Sequence, residues 1–388
     1  MHPAPAAFIG DSPSGPAIRR LQLTQFRSYA RVDVRTPAQM IVLHGENGAG
    51  KTNVLEAISL LVVGRGLRRA DLGECIREGA AGFAVSTEIE SHSGFVQLGT
   101  GIEPADDGTS ARKCRVDRQP VGSVRAFADH VRVVWLTPAM DGLFTGSPGD
   151  RRRFLDRLVL AIDAEHGTRV NALERALRNR NRLLENGSRD QLWLDAAERE
   201  VAELGIAVAA ARQETIARLA ALIASGADET SPFPWAEIAL VGEIDALIEK
   251  HSALDAEDAY RRILREQRGR DAAAGRTLVG PQASDLAVSH GPKALDASRC
   301  STGEQKALLV GLVLAHARLV ATMTGIVPIV LLDEVAAHFD PRRRAALYER
   351  LNELGAQVWM TGADRNAFAE MPVGTDFLHV MPGRIERD

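Results

Sequence analysis

The sequence predicts an α/β fold: a parallel sheet with a phosphate-binding loop, an antiparallel β portion, and an arm of two long helices. A glycine-rich loop stands between an apolar strand and an amphipathic helix, a second apolar strand ends in two acids, and helical periodicity fills the middle of the chain. The predicted domains are a disordered N-terminal lead at 1–17, a head formed by 18–150 with 276–388, and a helical arm at 151–275.

Local patterns support each part. The lead is rich in Ala, Pro, Gly and Ser, which favours disorder. Alternating apolar residues predict antiparallel strands over 18–34, 83–101 and 113–121, and the apolar run at 131–136 predicts a buried strand. A helix is predicted to start near Arg151.

The arm is predicted from helical spacing of apolar residues, as in Val170, Leu173, Leu177 and Leu184. Asn-Gly-Ser at 186–188 breaks the pattern before a second helix from Leu192 to about Ala224. Two helices around a short break predict an antiparallel hairpin, with arms of about 22 residues and roughly 33 Å. A strand is expected again near Leu278 and 286–288.

The phosphate-binding loop has the full G-x-x-x-x-G-K-[ST] pattern. It consists of Gly45, Glu46, Asn47, Gly48, Ala49, Gly50, Lys51 and Thr52, and Asn53 continues into the helix. Glycines let backbone N–H groups surround a phosphate, while Lys51 can reach the β and γ oxygens and Thr52 can hold Mg²⁺. Only five lysines occur, and one stands at the required position, which disfavours a chance match. The predicted cofactors are ATP and Mg²⁺.

An apolar strand at 328–332 is followed by two acids, Asp333 and Glu334. A carboxylate at such a strand end can share the metal with Thr52, and the next acid can polarise the water that attacks the γ-phosphate. Strands that end in solvated acids are common, so Asp333 and Glu334 indicate a nucleotide site only in combination with Lys51 and Thr52. Lys51, Asp333 and Glu334 are the predicted catalytic residues, and Thr52 with Asp333 is the predicted metal site.

Composition limits the function classes. The chain has 388 residues, 45% of them hydrophobic and 25% charged, which is typical of globular domains. A net charge of −4 gives no general nucleic-acid signature, so DNA contacts must come from local patches. No apolar run reaches about 18 residues, and neither an export signal nor a cysteine framework is present, so a cytoplasmic protein without a membrane partner is predicted.

Ser301 and Gly303 begin an apolar helix that is predicted to run to about Ala321, and alone they are an ordinary N-cap. The segment resembles the signature motif of ABC-type ATPases, in which a Ser and helix N–H groups meet the γ-phosphate bound by the other subunit. This implies an ABC-type ATPase head and an ATP-dependent head-to-tail homodimer. Residues 335–340 resemble the D-loop, where His338 is interpreted as structural, and Thr361 stands where ABC transporters carry a switch His.

Seven stretches together resemble the RecF family of bacterial recombination mediators, relatives of the SMC and Rad50 ATPases. They are 26–29, 45–57, 146–156, 178–184, 280–281, the signature and the strand before Asp333. The resemblance implies a DNA-repair ATPase that binds duplex and gapped DNA, hydrolyses ATP weakly with stimulation by DNA, and helps RecO and RecR load recombinase. Two departures stand out: 282–285 reads Gln-Ala-Ser-Asp instead of His-Arg-Asp-Asp, and Glu304 replaces the usual Gln.

The resemblance also implies a nucleotide-sensing role for Arg27. Candidates for a DNA-facing surface, which needs only phosphate contacts, are Arg65, Arg68, Arg69, Arg112 and Lys113. Solvated arginines are the competing interpretation, since arginine outnumbers lysine 42 to 5 (47 basic residues less five lysines).

Three other classes of protein share parts of this pattern. Another SMC or Rad50-like protein would carry hundreds of coiled-coil residues, and a transporter ATPase would carry a switch His and a shorter insertion. The sequence leaves open a third class, a scaffold that binds nucleotide without hydrolysing it. Glu334 indicates that hydrolysis is chemically possible but does not indicate its rate.

Overall fold

The computed structural model describes residues 15–92, 94–103, 111–186, 190–228, 230–335 and 339–388. Its strands are β1 (Ala17–Phe26), β2 (Tyr29–Arg35), β3 (Met40–His44), β4 (Phe83–Ser91), β5 (Gly94–Ile102), β6 (Arg112–Val116), β7 (Gln119–Val121), β8 (Val133–Leu136), β9 (Ala236–Val241), β10 (Asp285–His290), β11 (Leu295–Asp296), β12 (Ile329–Leu332), β13 (Val358–Gly362), β14 (Asp376–Met381) and β15 (Arg384–Arg387). Its helices are α1 (Lys51–Ser59), α2 (Pro148–Ile162), α3 (His166–Glu185), α4 (Gln191–Ser225), α5 (Glu243–Lys250), α6 (Ala253–Glu266), α7 (Arg268–Ala274), α8 (Thr302–Thr324) and α9 (Pro341–Glu353).

The chain divides into two compact units. One joins the segment up to Thr137 with Val320–Asp388, and the other is Pro138–Leu319. The domains predicted from sequence, 18–150 with 276–388 and 151–275, divide the chain at other points. The difference arises because β10, from the predicted head, pairs with β9 from the predicted arm and so belongs to the second unit. Most of the lead at 1–17 lies outside the described residues, and Ala17 already begins β1.

The first unit contains a parallel sheet of strand order β15-β14-β3-β13-β12-β8, in which only the edge strand β15 runs antiparallel to its neighbour. Strands β12 and β13 are buried at every position, and β3 at all but its last. Such continuous apolar runs are typical of parallel strands covered on both faces. The carboxyl ends of β3, β12 and β13 therefore meet at one edge of the sheet.

A six-stranded antiparallel sheet, in the order β2-β1-β4-β5-β6-β7, completes this unit. It is formed by the segments whose alternation predicted strands at 18–34, 83–101 and 113–121. Leu21, Leu23 and Phe26 of β1 are fully buried, whereas Thr24 between them is exposed. One face of the sheet thus belongs to the hydrophobic core, and the other carries polar side chains.

The second unit contains the helical hairpin. Helix α3 has 20 residues and α4 has 35, so the second arm is longer than the 22 residues predicted. Asp190 caps α4 by accepting hydrogen bonds from Leu192 N and Trp193 N. The Gly-Ser of the predicted break lies outside the described residues. The two helices pack on α6 around an apolar cluster that includes Leu173, Val201 and Tyr260.

Two predictions for this unit need correction. The first helix begins at Pro148 rather than near Arg151, because Ser147 and Asp150 form a capping box that starts it. The predicted all-helical arm also contains a strand, β9, which pairs in register with β10. The strand expected near Leu278 is absent among the described residues there, and the chain becomes extended only at Asp285.

Helix α8 is apolar enough to resemble a membrane span. Among the described residues it is the one helix that meets the length and hydropathy criteria for such a span, with a mean hydropathy of 1.7. Most of it is nevertheless buried inside the protein, as 61% of its apolar window is enclosed. This burial is typical of a core helix.

A buried arginine ties the helices of the second unit together. Arg180 is fully buried on α3, and its guanidinium donates to Asp271 Oδ2 at 2.7 Å and to Thr277 Oγ1 at 2.8 Å. It also donates to Glu198 Oε1 at 3.3 Å and to the carbonyl oxygen of Leu264 at 2.7 Å. A buried charge is tolerated when it is paired and hydrogen-bonded in this way.

Replacing Arg180 with Ala is expected to lower the free energy of unfolding by about 3–5 kcal/mol, because the buried carboxylate of Asp271 loses its cation, although Glu198 keeps its pair with Arg268. Chemical denaturation followed by circular dichroism would measure the loss. Arg178→Ala is the matched control, since Arg178 lies on the same helix in an exposed pair, 3.8 Å from Glu174. Its loss should stay below about 0.5 kcal/mol. Equal losses for the two variants would contradict the role given to the buried network.

Candidate nucleotide-binding site

The loop between β3 and α1 needs its glycines. Gly45, Gly48 and Gly50 have φ angles of 144°, 84° and 115°, which side chains rarely adopt. A Cβ at Gly45 would lie 2.3 Å from the carbonyl oxygen of Val380. Gly50 is the N-cap of α1, and because glycine has no side chain, no side-chain acceptor at the N-cap satisfies the N–H groups of the first turn. Those groups form an anion-binding helix N-terminus.

Lys51 brings a positive charge to this loop. Its Nζ donates to the carbonyl oxygens of Gly45 at 2.7 Å and Glu46 at 2.9 Å. Burial lowers the pKa of Lys51, while the acids Glu334 and Asp333 act in the opposite direction. The ammonium group therefore lies over the loop, held by weak neutral acceptors that phosphate oxygens can replace.

Asp333 links two hydroxyl groups at the carboxyl edge of the sheet. Thr52 Oγ1 lies 3.0 Å from its Oδ1 and 3.2 Å from its Oδ2, and Thr361 Oγ1 donates to Oδ1 at 2.7 Å. Asp333 is only 6% exposed. A hydroxyl and a carboxylate are the hard oxygen ligands that Mg²⁺ accepts, alongside water and phosphate. The residues present therefore fit the metal predicted for Thr52 and Asp333.

A few protein ligands would suffice for that metal. Within the described parts of the chain, no group of three or more His, Cys, Asp or Glu side chains forms a metal cage. Mg²⁺ usually keeps several waters and binds through one or two carboxylates plus substrate phosphates. The arrangement thus suits a metal that arrives with a nucleotide.

Thr361 positions both acids, a role that sequence reasoning missed. Its hydroxyl donates to Asp333 and accepts a hydrogen bond from the backbone N of Glu334 at 2.9 Å. Glu334 has a φ of 54°, a left-handed conformation that costs a non-glycine residue about 1–3 kcal/mol. From its position in the sequence, Thr361 was predicted only to stand where ABC transporters carry a switch His. Its contacts arise from the parallel pairing of β12 with β13.

Arg27 is held against the phosphate-loop helix. Its guanidinium forms a bidentate ion pair with the carboxylate of Glu56 on α1, in which Nε donates to Oε2 at 2.9 Å and Nη2 donates to Oε1 at 2.6 Å. Arg68 reaches the same carboxylate at 3.0 Å and also donates to Asn53 Oδ1 at 2.7 Å. Hydrogen bonds to the Glu56 carboxylate raise the pKa of Arg27. Glu56, which is 2% exposed, was not identified from the sequence as part of the site.

The candidate DNA contacts differ in exposure. Arg112 donates to Thr100 Oγ1 at 2.9 Å and to the carbonyl oxygen of Leu60, and burial lowers its pKa. This is a correction: Arg112 stabilises the fold and is no longer a candidate for DNA. Its neighbour Lys113 is exposed, because successive residues on a strand point to opposite faces.

The remaining candidates lie after α1. Arg65 is 69% exposed and lies 3.6 Å from Asp71, a weak surface pair. Arg68 is tied to Glu56, and Arg69 has a left-handed φ of 57°. Of this group, Arg65 is the residue best placed to give its charge to a phosphate backbone.

The signature residues Ser301 and Gly303 belong to the second unit, where Thr302 begins α8. Both are exposed, and Ser301 donates to the carboxylate of Glu304. Of the predicted D-loop, 336–338 with His338 lie outside the described residues, while Val335 and Phe339 are buried.

Comparisons with known proteins agree on the family. The model of the RecF/RecN/SMC N terminal domain matches residues 17–383. The chain is 54% identical over 372 residues to the DNA replication and repair protein RecF of Allorhizobium ampelinum, covering 95% of this chain and 98% of that protein. It is 51% identical over 374 residues to the protein of the same description in Mesorhizobium japonicum, covering 96% and 98%.

Solved structures agree on the fold. The recombination mediator protein RecF-ATPrS of the RecFOR pathway superposes with a TM-score of 0.85 at 21% identity, over 97% of this chain and 99% of that one. An Smc head domain from Pyrococcus furiosus, bound to the C-terminal domain of ScpA, gives a TM-score of 0.53 at 16% identity, over 96% of each chain. The predicted α/β fold, an ABC-type ATPase head with a helical arm, is confirmed.

Thr361→Val is expected to reduce ATP turnover at least tenfold at saturating ATP, because the isosteric methyl group cannot hold Asp333 or the backbone N of Glu334. Steady-state phosphate release over a Mg²⁺ titration would measure it, with a higher Mg²⁺ requirement expected for the variant. Thr361→Ser keeps the hydroxyl and serves as the control. Equal turnover by the Val and Ser variants would show that the hydroxyl does not position the acids.

Proposed function

The chain belongs to the RecF family, and we propose that it is an ATP-dependent DNA-binding ATPase of recombinational repair that dimerises around ATP on gapped duplex DNA. One observation carries the proposal more than any other. The phosphate loop, Thr52, Asp333, Thr361 and Glu334 meet at the carboxyl edge of one parallel sheet, joined by hydrogen bonds of 2.7 to 3.2 Å. Within the first unit, this arrangement brings together a phosphate-binding loop, two candidate ligands for Mg²⁺ and an acid that can polarise water.

ATP would bind to the phosphate loop in the conformation described above. The phosphates would accept hydrogen bonds from the N–H groups at the start of α1, and Lys51 would exchange the carbonyl oxygens of Gly45 and Glu46 for phosphate oxygens. Thr52 and Asp333 would hold Mg²⁺, which neutralises charge on the β and γ phosphates when bound. The exchange of carbonyl for phosphate oxygens at Lys51 is expected to favour ATP binding, because charged acceptors bind an ammonium group more strongly than neutral ones do.

Hydrolysis would depend on Glu334. Its carboxylate would orient and polarise the attacking water, and Thr361 would keep its backbone in the left-handed conformation that aims it. Turnover is proposed to be weak and stimulated by DNA, because the signature motif implies that Ser301 of another subunit completes each site. The dimer would then act as a clamp that hydrolysis opens.

DNA would be bound through phosphates. Arg65 and Lys113 are exposed and can contribute to a sequence-independent interface. The family and the RecFOR pathway of the solved relative support RecO and RecR as partners in loading recombinase. A cytoplasmic location follows from that role.

The clamp can be tested by measuring mass and DNA affinity together, on gapped duplex DNA with ATP, with ADP and without nucleotide. Wild type should form a dimer on DNA with ATP alone. Glu334→Gln should bind ATP and hydrolyse it at least a hundredfold more slowly, so that its dimer persists. Lys51→Ala should lose the dimer, because it loses the cation that holds the phosphates.

ADP is the internal control, since it fills the same loop without a γ-phosphate. If wild type binds DNA with the same mass and affinity in all three nucleotide states, the clamp is ruled out. If wild type hydrolyses no ATP, a scaffold that only binds nucleotide becomes the better description. If Glu334→Gln hydrolyses ATP as wild type does, Glu334 is not the residue that polarises the attacking water.

Lys113→Ala should weaken DNA binding and reduce the slope of log K against log salt by about one unit, as expected for the loss of one phosphate contact. A salt titration of fluorescence anisotropy on gapped duplex would measure this slope. Lys250→Ala removes the same charge from the exposed end of α5 and is the matched control. A slope that Lys113→Ala leaves unchanged would remove this residue from the DNA interface.

A further inference from the structure

The signature segment contains an ion pair that an ordinary helix cap does not require. Glu304 Oε2 accepts hydrogen bonds from Ser301 Oγ at 2.8 Å and from Ser301 N at 2.9 Å. Its other oxygen, Oε1, pairs with the ammonium group of Lys293. One carboxylate therefore joins the cap of α8 to a lysine eleven positions earlier in the chain.

The two donors of Ser301 are both in use. A hydroxyl and a backbone N–H each carry one hydrogen, and both hydrogens point to Glu304. In the dimer proposed above, the γ-phosphate bound by the partner subunit needs the hydroxyl of Ser301. The phosphate can accept the hydroxyl hydrogen only if Glu304 moves away, since a carboxylate and a phosphate that share one donor repel each other.

Protonation cannot remove that obstacle under ordinary conditions. Lys293, followed by the hydrogen bonds of Ser301, lowers the pKa of Glu304 to about 2. The carboxylate stays ionised at neutral pH, so it must be displaced as an anion. A cation that keeps hold of it during this movement lowers the cost of displacement.

Lys293 is fixed in a position to provide that cation. It ends a short turn whose Gly291 packs against Trp235, where an added Cβ would lie 1.9 Å from the indole nitrogen. Gly291 N also donates to the carbonyl oxygen of Trp235 at 3.0 Å. The Lys293 and Glu304 side chains are 52% and 22% exposed, so Glu304 can leave Ser301 without burying a charge.

We propose that Glu304 occupies the place of the γ-phosphate on Ser301 until the dimer forms, and that Lys293 holds Glu304 when the phosphate displaces it. The pair would then set the affinity of the ATP-dependent dimer. This inference rests on the proposed function, since it concerns the same signature segment. Lys293 acts through Glu304 and is a positioning residue.

The experiment compares dimer dissociation constants at saturating ATP by analytical ultracentrifugation, all in the Glu334→Gln background to prevent hydrolysis. Glu304→Gln should tighten the dimer about threefold, because a neutral amide holds Ser301 less firmly and does not repel phosphate. Lys293→Ala should weaken it by a similar factor, and Lys293→Arg should restore the reference value. Both differences should shrink with added salt, because the pair is exposed.

The double variant Lys293→Ala with Glu304→Gln separates the possible roles of Lys293. If Lys293 acts through Glu304, the double variant should match Glu304→Gln alone. If it is as weak as Lys293→Ala, Lys293 binds the phosphate itself and the proposal is wrong. Asp141→Asn is the control, since it breaks the pair with Lys306 in the first turns of the same helix and should change nothing.

Two failures can be told apart. If the reference protein forms no dimer with ATP, the proposed function itself fails. If it does form a dimer and Glu304→Gln leaves the affinity unchanged or lowers it, Glu304 is only a helix cap and this inference alone fails. Thermal unfolding of each monomer would show whether a weaker dimer merely follows from a less stable helix.

Discussion

The site depends on the carboxylate of Asp333, which is buried at the edge of a sheet whose central strands carry no charged side chains. Strands β3, β12 and β13 are apolar and covered on both faces, so polar side chains first become possible where the strands end. Asp333 and Thr361 stand at or just after the ends of β12 and β13, and Thr52 lies in the first turn of α1, which follows β3 through the phosphate loop. With the hydroxyls of Thr52 and Thr361 as donors, the carboxylate accepts hydrogen bonds from neutral groups and stays able to bind a cation.

The donors that would meet phosphate are occupied by acceptors of the chain itself. Lys51 donates to two backbone carbonyls of its own loop, and Ser301 donates to Glu304. The two acceptors differ in strength, because a carbonyl is neutral and a carboxylate carries a full charge. Exchange at Lys51 should therefore be easy, whereas exchange at Ser301 requires a charged group to move. The contact at Ser301 is therefore expected to be more selective for phosphate than the contact at Lys51.

Features encoded by contiguous residues could be predicted from the sequence. The phosphate loop, the acids after β12, the strands of the antiparallel sheet and the hairpin each follow from local spacing or alternation. Contacts between distant segments could not. Thr361 acts through the pairing of two strands, and Glu56 pairs with arginines from two other segments. Arg112 donates to the carbonyl oxygen of Leu60, far from it in sequence. Strand β9 was missed because six residues between helices offer too short a pattern.

The charges around Glu56 show why net charge is a poor guide to this protein. Two guanidinium groups, from Arg27 and Arg68, share one carboxylate, so one positive charge is left over beside the first turn of α1. That charge adds to Lys51 and to the positive end of the helix dipole. A chain with a net charge of −4 thus concentrates positive charge where phosphates would bind. Because Arg27 is held by Glu56, any nucleotide-sensing movement of Arg27 would also act on the phosphate-loop helix that carries Glu56.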